Sequence, residues 1–174
     1  MTAGDATRDR DEVDDLVAAW RRERPDLDVA PLEVLSRVSR LARHLDRARG
    51  QAFSRHSLEG WEFDVLAALR RSGEPYELSP GKLLQQTLVT SGTMTNRIDR
   101  LAARGLVERH PALDDRRSIM VQLTEAGATK VDAALIDLLA HEQAILAELD
   151  ADDQETLTTL LRRVLLPFDR NAGK

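Results

Sequence analysis

Apolar residues recur every three or four positions along most of the chain, a spacing that gives an α-helix one apolar face. Glycine, proline and N-capping residues interrupt the pattern where helices usually begin or end. Together these signals predict helices over residues 11–22, 32–48, 58–71, 80–86, 91–104, 125–146 and 151–166. The last helix is expected to end at Pro167, because proline inside a helix removes a backbone hydrogen bond.

Between the fifth and sixth of these helices the apolar period changes to two residues. Residues 106–110 and 119–123 predict two strands, joined by a charged loop over 111–117. This hairpin follows two short helices separated by a brief turn, which is the order of elements in a winged helix-turn-helix. The expected fold class is therefore mainly α with a small β-hairpin wing.

The length of 174 residues favours a single domain, in which we distinguish three segments. N-terminal helices occupy 11–57, the winged helix-turn-helix core 58–123 and C-terminal helices 124–168. The terminal helices carry more apolar stripes than are needed to cover a small core. Such stripes are most simply buried against a second copy of the chain, so we expect a homodimer.

Composition narrows the functional classes. The chain has no cysteine, which excludes disulfides and thiolate chemistry. It has no apolar run long enough for a signal peptide or a membrane span, so we expect a cytoplasmic protein. The four histidines are scattered and there is no glycine-rich phosphate loop. Neither an enzyme, a metal site nor a bound cofactor is therefore expected.

The net charge of -5 is unevenly distributed. Residues 82–117 carry seven basic and four acidic side chains, a net charge of +3, whereas both ends of the chain are acidic. This basic segment contains most of the predicted helix-turn-helix and the hairpin loop, so it fits a surface that contacts DNA phosphates. The alternative is a winged-helix protein-interaction module that does not bind specific DNA.

The predicted second helix of the helix-turn-helix has one buried and one outward face. Met94, Ile98 and Leu101 define the buried direction, and the polar residues on the opposite half can reach base edges in a major groove. The predicted DNA contacts, including two arginines of the hairpin tip, are Ser91, Thr93, Thr95, Asn96, Arg100, Arg116 and Arg117.

The hairpin tip combines turn-forming aspartates with arginines. Asp114 and Asp115 fold the turn and brace one arginine, which leaves the other for a phosphate or a minor groove. The sequence does not decide between Arg116 and Arg117 for that contact, and taken alone the segment also fits an internally paired, solvent-exposed turn.

Several motifs between Leu58 and Gly127 point to one family: FDVLAALRRSG, LSPGKLLQQ, SGTMTNRIDRLAARGLVER, DDRRS and VQLTEAG. This stretch resembles the winged-helix core of the MarR family of bacterial transcriptional regulators, most specifically in DDRRS followed by LTEAG. The resemblance implies an obligate homodimer, joined by helices from both ends of each chain, that binds palindromic double-stranded DNA. It also implies release by a small ligand, and we expect a repressor.

A narrower resemblance covers nearly the whole chain. The segments WRRERPDLD, FDVLAALRR, TNRIDRL and LVERH are similar to the urate-responsive (PecS-like) subfamily. In that subfamily the ligand site uses a tryptophan of the first helix, an aspartate of the FDVL segment, an arginine of the recognition helix and an arginine at the start of the wing. The matching residues are Trp20, Asp64, Arg97 and Arg109. The resemblance thus implies an anionic effector, urate or a related purine, with a phenolic acid or another carboxylate left open.

The residues themselves are compatible with this site. Arg97 lies at the edge of the buried face, where a guanidinium requires a partner, and Asp64 is a candidate. We predict that these two pair in the DNA-competent state. An anionic purine would then contact Arg97 and Arg109, covered by Trp20, and move the recognition helix.

Overall fold

The structure, a computed structural model, describes residues 10–87, 91–112 and 118–172. The elements in these ranges are α1 (Glu12–Glu23), α2 (Ala30–Arg55), α3 (Gly60–Arg71), β1 (Glu77–Leu78), α4 (Pro80–Thr87), α5 (Ser91–Ala103), β2 (Val107–Pro111), β3 (Ile119–Leu123), α6 (Glu125–Ile145) and α7 (Ala151–Ala172). The strands form one antiparallel sheet in the order β1-β3-β2. The predicted fold class, mainly helical with a small wing, is confirmed.

The sheet differs from the prediction in two places. The short strand β1 was not predicted, and its Glu77 and Leu78 pair with Gln122 and Val121 of β3. A strand of two residues is too short to display an apolar period, so only its partner reveals it. Strand β2 also extends beyond the predicted strand to include Pro111, which the end of a strand tolerates.

Two helices extend beyond their predicted ends. Helix α2 continues through Gly50 to Arg55, since one glycine weakens a helix without ending it. Helix α7 continues through Pro167 to Ala172. The proline removes the hydrogen bond to the carbonyl four residues earlier, and residues 161–170 are all exposed, so solvent can reach that carbonyl. The prediction that Pro167 ends the last helix is therefore wrong.

The chain divides into two compact units, the first ending at Ala48 and the second beginning at Arg49. In the first unit, Val13 and Val17 of α1 are buried together with Val29, just before α2. Among the described residues, no helix combines the length and the apolar character that a membrane span requires.

Ionic contacts fasten α1 to α2 within the first unit. Asp11 caps α1 by accepting a hydrogen bond of 2.7 Å from the backbone N–H of Val13. Arg37 of α2 donates to the carboxylates of Asp11 (2.8 Å) and Asp14 (2.9 Å). The backbone N–H of Asp11 and then the Arg37 guanidinium lower the pKa of Asp14 below its ordinary value of 3.8.

Arg37→Met is expected to loosen α1 at neutral pH and to have little effect in acid. A carboxylate whose pKa is lowered by folding adds stability above its ordinary pKa, and that stability is lost as the pH falls through the lowered value. The measurement is hydrogen exchange of the α1 amides against pH. Arg22→Met, which removes a pair with the adjacent Glu23, is the control and should leave the exchange unchanged. Equal protection in Arg37→Met and the wild type at neutral pH would contradict this role.

The core of the second unit is built around α3 and α5. Phe53 and Phe63 stack with their ring centroids 4.1 Å apart. Met94, Ile98 and Leu101 of α5 are all buried, as the helical wheel predicts. This packing fixes which face of α5 points outward.

The end of α5 is joined closely to the start of α6. Gly105 follows α5 with a positive φ of 68°, a conformation that glycine adopts without strain. Thr124 caps α6 by accepting from the backbone N–H of Gly127 (3.0 Å), and its hydroxyl donates to the carbonyl of Gly105 (2.8 Å). Gly127 lies so close to the carbonyl of Leu106 that an added Cβ would be 2.1 Å from that oxygen. Two residues of the LTEAG motif thus have structural roles: its threonine caps α6, and its glycine allows the close approach to Leu106.

Candidate nucleic-acid interface

The outward face of α5 carries most of the residues predicted to contact DNA. Thr93, Thr95, Asn96 and Arg100 are exposed, opposite the buried face of the same helix. Ser91 is the first residue of α5. The two arginines of the hairpin tip, Arg116 and Arg117, lie outside the described residues, so their DNA contacts remain predictions.

Arg100 is held by two residues at the start of α3. Its Nη2 donates to Oε1 of Glu59 over 2.7 Å, and its guanidinium lies 4.7 Å from the ring centroid of Trp61. The indole N–H of Trp61 donates to the other oxygen of Glu59 over 2.6 Å. This indole N–H and then the Arg100 guanidinium lower the pKa of Glu59, so the carboxylate is ionised at neutral pH.

An open pocket of 460 Å³ lies beside these residues on the same surface. Its lining residues, which come from α3 and the first three turns of α5, are Trp61, Gly92, Thr93, Asn96, Arg97 and Arg100. Two guanidiniums and an aromatic ring give this surface a cationic and planar character, which suits phosphates or base edges.

Arg109 of β2 braces α5 from the side of the wing. Its Nη1 lies 2.7 Å from Oδ1 of Asp99, and its Nη2 donates to the backbone carbonyl of Thr95 over 3.4 Å. Both contacts are to α5. Arg109, which is predicted to bind a ligand anion, therefore also supports α5, the predicted recognition helix of the helix-turn-helix.

The predicted pair between Asp64 and Arg97 is absent from the described part of the chain. Asp64 instead accepts a hydrogen bond of 3.2 Å from Arg49, in the C-terminal part of α2. The guanidinium of Arg97 lies 5.4 Å from the ring centroid of Trp61. Trp61 is one helical turn before Asp64 on α3 and offers the cation an aromatic face in place of the carboxylate. Arg97 does lie at the edge of the buried face, as predicted.

Trp20, the fourth predicted ligand residue, belongs to the first unit. Its side chain is 47% exposed on α1. Its role in covering a ligand remains a prediction.

Sequence reasoning missed the pair formed by Glu62 and Arg104. Glu62 is 1% exposed, and its carboxylate accepts from Nη1 of Arg104 over 2.5 Å and from the backbone N–H of Glu59 over 2.9 Å. Arg104 also donates to the carbonyl of Ser57 over 2.6 Å. The sequence does contain one signal. Glu62 stands three residues after Glu59, which is the position that glutamate takes in a capping box at the start of a helix. The pair joins the start of α3 to the end of the recognition helix.

Comparisons with known proteins agree with this geometry. The model of the MarR family matches residues 56–118. The chain is 40% identical over 153 residues to the HTH-type transcriptional regulator PecS of Dickeya dadantii, covering 88% of this chain and 92% of that protein.

Two solved structures are also similar. A mutant of MarR from E. coli complexed with operator DNA has a TM-score of 0.66 at 29% identity, covering 79% of this chain and 95% of that one. BpsR of Bordetella bronchiseptica, whose DNA binding is regulated by 6-hydroxynicotinic acid, has a TM-score of 0.57 at 26% identity, covering 73% of this chain and 91% of that one.

Proposed function

The chain belongs to the MarR family of transcriptional regulators, and from this premise we propose that it is a repressor. In this proposal it binds palindromic operator DNA as a homodimer and is released by a small anionic effector. The observation that carries the proposal is the outward polar face of α5, fixed by a buried apolar face and placed beside the wing.

The DNA-binding part rests on side-chain chemistry. Thr93, Asn96 and Arg100 present hydroxyl, amide and guanidinium groups on one exposed surface, and these groups pair with base edges and phosphates. MarR from E. coli, a structural neighbour, has been solved with operator DNA.

The homodimer is supported by apolar side chains that each unit leaves exposed. In the first unit, Val34, Leu35 and Val38 of α2 are 61%, 54% and 42% exposed. In the second unit, Leu165 and Phe168 of α7 are 56% and 68% exposed. Helices with such faces are stabilised when a second copy covers them.

Arg100→Ala is expected to reduce affinity for a specific site roughly five- to 150-fold, because an arginine bound to a base edge contributes about 1 to 3 kcal/mol. The site is first selected from random double-stranded DNA by the wild-type protein. Binding is then measured by fluorescence anisotropy over a salt series. Arg71→Ala, which removes the same charge from the far end of α3, is the control and should keep its specificity. A wild-type protein that selects no sequence would contradict the proposed function and favour a protein-interaction module.

The proposed release by an effector rests on two arginines, Arg97 on α5 and Arg109 on β2. An anion that draws Arg97 from Trp61 and Arg109 from Asp99 would remove two contacts that hold the recognition helix. Such an anion changes DNA affinity only as far as it prefers the altered conformation. Urate is the effector that the resemblance at Trp20, Asp64, Arg97 and Arg109 implies, and the DNA binding of the structural neighbour BpsR is regulated by 6-hydroxynicotinic acid.

Arg97→Ala is expected to bind the selected DNA but to lose most of its release by urate. The measurement is the urate concentration that halves DNA binding, with xanthine and salicylate compared in parallel. Arg71→Ala serves again as the control and should respond like the wild type. Undiminished release of Arg97→Ala by urate would exclude this arginine from the effector site.

A further inference from the structure

The pair between Glu59 and Arg100 puts an acidic side chain on the surface that is proposed to meet DNA. Glu59 is an ionised carboxylate within 2.7 Å of a residue proposed to contact bases. A negative charge here repels phosphates and so opposes DNA binding of any sequence. A role in positioning Arg100 would offset this repulsion.

The geometry shows what Glu59 does to Arg100. One nitrogen, Nη2, bonds to the carboxylate, while the guanidinium is held 4.7 Å from the ring centroid of Trp61. Trp61 fixes the carboxylate in turn through its indole N–H. Three side chains thus hold one another, and the exposed arginine loses much of its conformational freedom before any DNA arrives.

An arginine held in this way discriminates better than a mobile one. The guanidinium carries five N–H donors, and the bond to Glu59 leaves others available for a base. A mobile arginine bonds to any nearby phosphate, whereas a braced one is limited to a partner in the matching position.

We propose that Glu59 and Trp61 are positioning residues that orient Arg100 for base recognition, and that Glu59 thereby determines sequence specificity at the base pairs Arg100 contacts. The inference rests on the proposed DNA-binding function. Glu59 lowers affinity for DNA in general and raises the preference for the correct sequence.

Glu59→Gln tests this because it removes the charge and keeps the shape. Affinities are measured for the selected site, for that site with each base pair substituted, and for unrelated DNA. Arg100→Ala first identifies the base pairs at which Arg100 discriminates. We expect Glu59→Gln to bind unrelated DNA roughly two- to fivefold more tightly, since one repulsive charge is gone. At the base pairs of Arg100 its discrimination should fall roughly three- to tenfold.

Two further variants show whether Glu59 acts through Arg100. The double variant Glu59→Gln with Arg100→Ala should discriminate no worse than Arg100→Ala alone. Trp61→Phe keeps an aromatic ring but removes the N–H that holds Glu59, so it should lose discrimination at the same base pairs. The control is Glu108→Gln on β2, whose exposed carboxylate forms no ion pair with another described residue. It should alter unrelated-DNA binding without changing discrimination.

Several outcomes would overturn the inference. If Glu59→Gln tightens binding to all sequences equally, Glu59 acts only as a repulsive charge. If specific and unrelated binding both weaken with a lower melting temperature, its role is structural. If the wild type selects a site but Arg100→Ala keeps full discrimination, the inference fails while the proposed function stands. If the wild type selects no site, both fail.

Discussion

Replacing Gly127 with alanine is expected to destabilise the protein by about 3 kcal/mol. The new Cβ would lie 2.1 Å from the carbonyl oxygen of Leu106 and 2.8 Å from Cδ1 of Leu123. The oxygen belongs to the backbone, so it cannot turn aside as the end of a flexible side chain would. Either the first turn of α6 or the segment after α5 must move.

The free energy of unfolding of Gly127→Ala is measured by urea denaturation. Gly50→Ala is the matched control, since Gly50 lies inside α2 with no neighbouring atom within 4 Å of an added Cβ. It should be neutral or more stable by up to about 1 kcal/mol, the difference in helix propensity. Similar stabilities for the two variants would show that the carbonyl of Leu106 leaves room for a side chain at position 127.

Arg104→Met is expected to destabilise the protein by about 3 to 5 kcal/mol, because it leaves a buried carboxylate without its cation. Glu62 is 1% exposed, and among the described residues the backbone N–H of Glu59 is the donor that would remain. Methionine occupies a similar volume to the arginine stem, so the lost charge pair accounts for most of the change.

Arg100→Met is the control for this prediction. It also removes an arginine from this segment, but its partner Glu59 is exposed to solvent, so the loss of stability should be much smaller than for Arg104→Met. The double variant Glu62→Met with Arg104→Met should be more stable than Arg104→Met alone, since it removes the unpaired charge as well. A double variant less stable than the single one would show that packing rather than charge explains the effect.

The sequence predicted the features that depend on neighbouring residues. The buried side of α5, with Met94 and Ile98, follows from the helical period. The exposed positions of Asn96 and Arg100 follow from the same wheel.

Features that depend on distant residues were harder to predict. Glu62 is buried, although glutamate on a helix is usually exposed, because Arg104 reaches it from 42 residues further along the chain. The carboxylate predicted for Arg97 pairs with Arg49 instead, since only the fold shows which of several arginines is near Asp64. Periodicity predicts the face of a helix but not its partner.

The junction at Gly105 and Thr124 has a mechanical consequence. Its hydrogen bonds and the close approach of Gly127 fasten the backbone that follows α5 to the start of α6. The end of α5 next to Gly105 is therefore the anchored end of the helix, and we expect α5 to turn about that end when Arg97 is displaced. Displacement along such a lever is smallest at Arg104 and largest at the opposite end, near Thr93. In the proposed mechanism, a small movement at Arg97 would thus become larger near Thr93, where the helix would enter the groove.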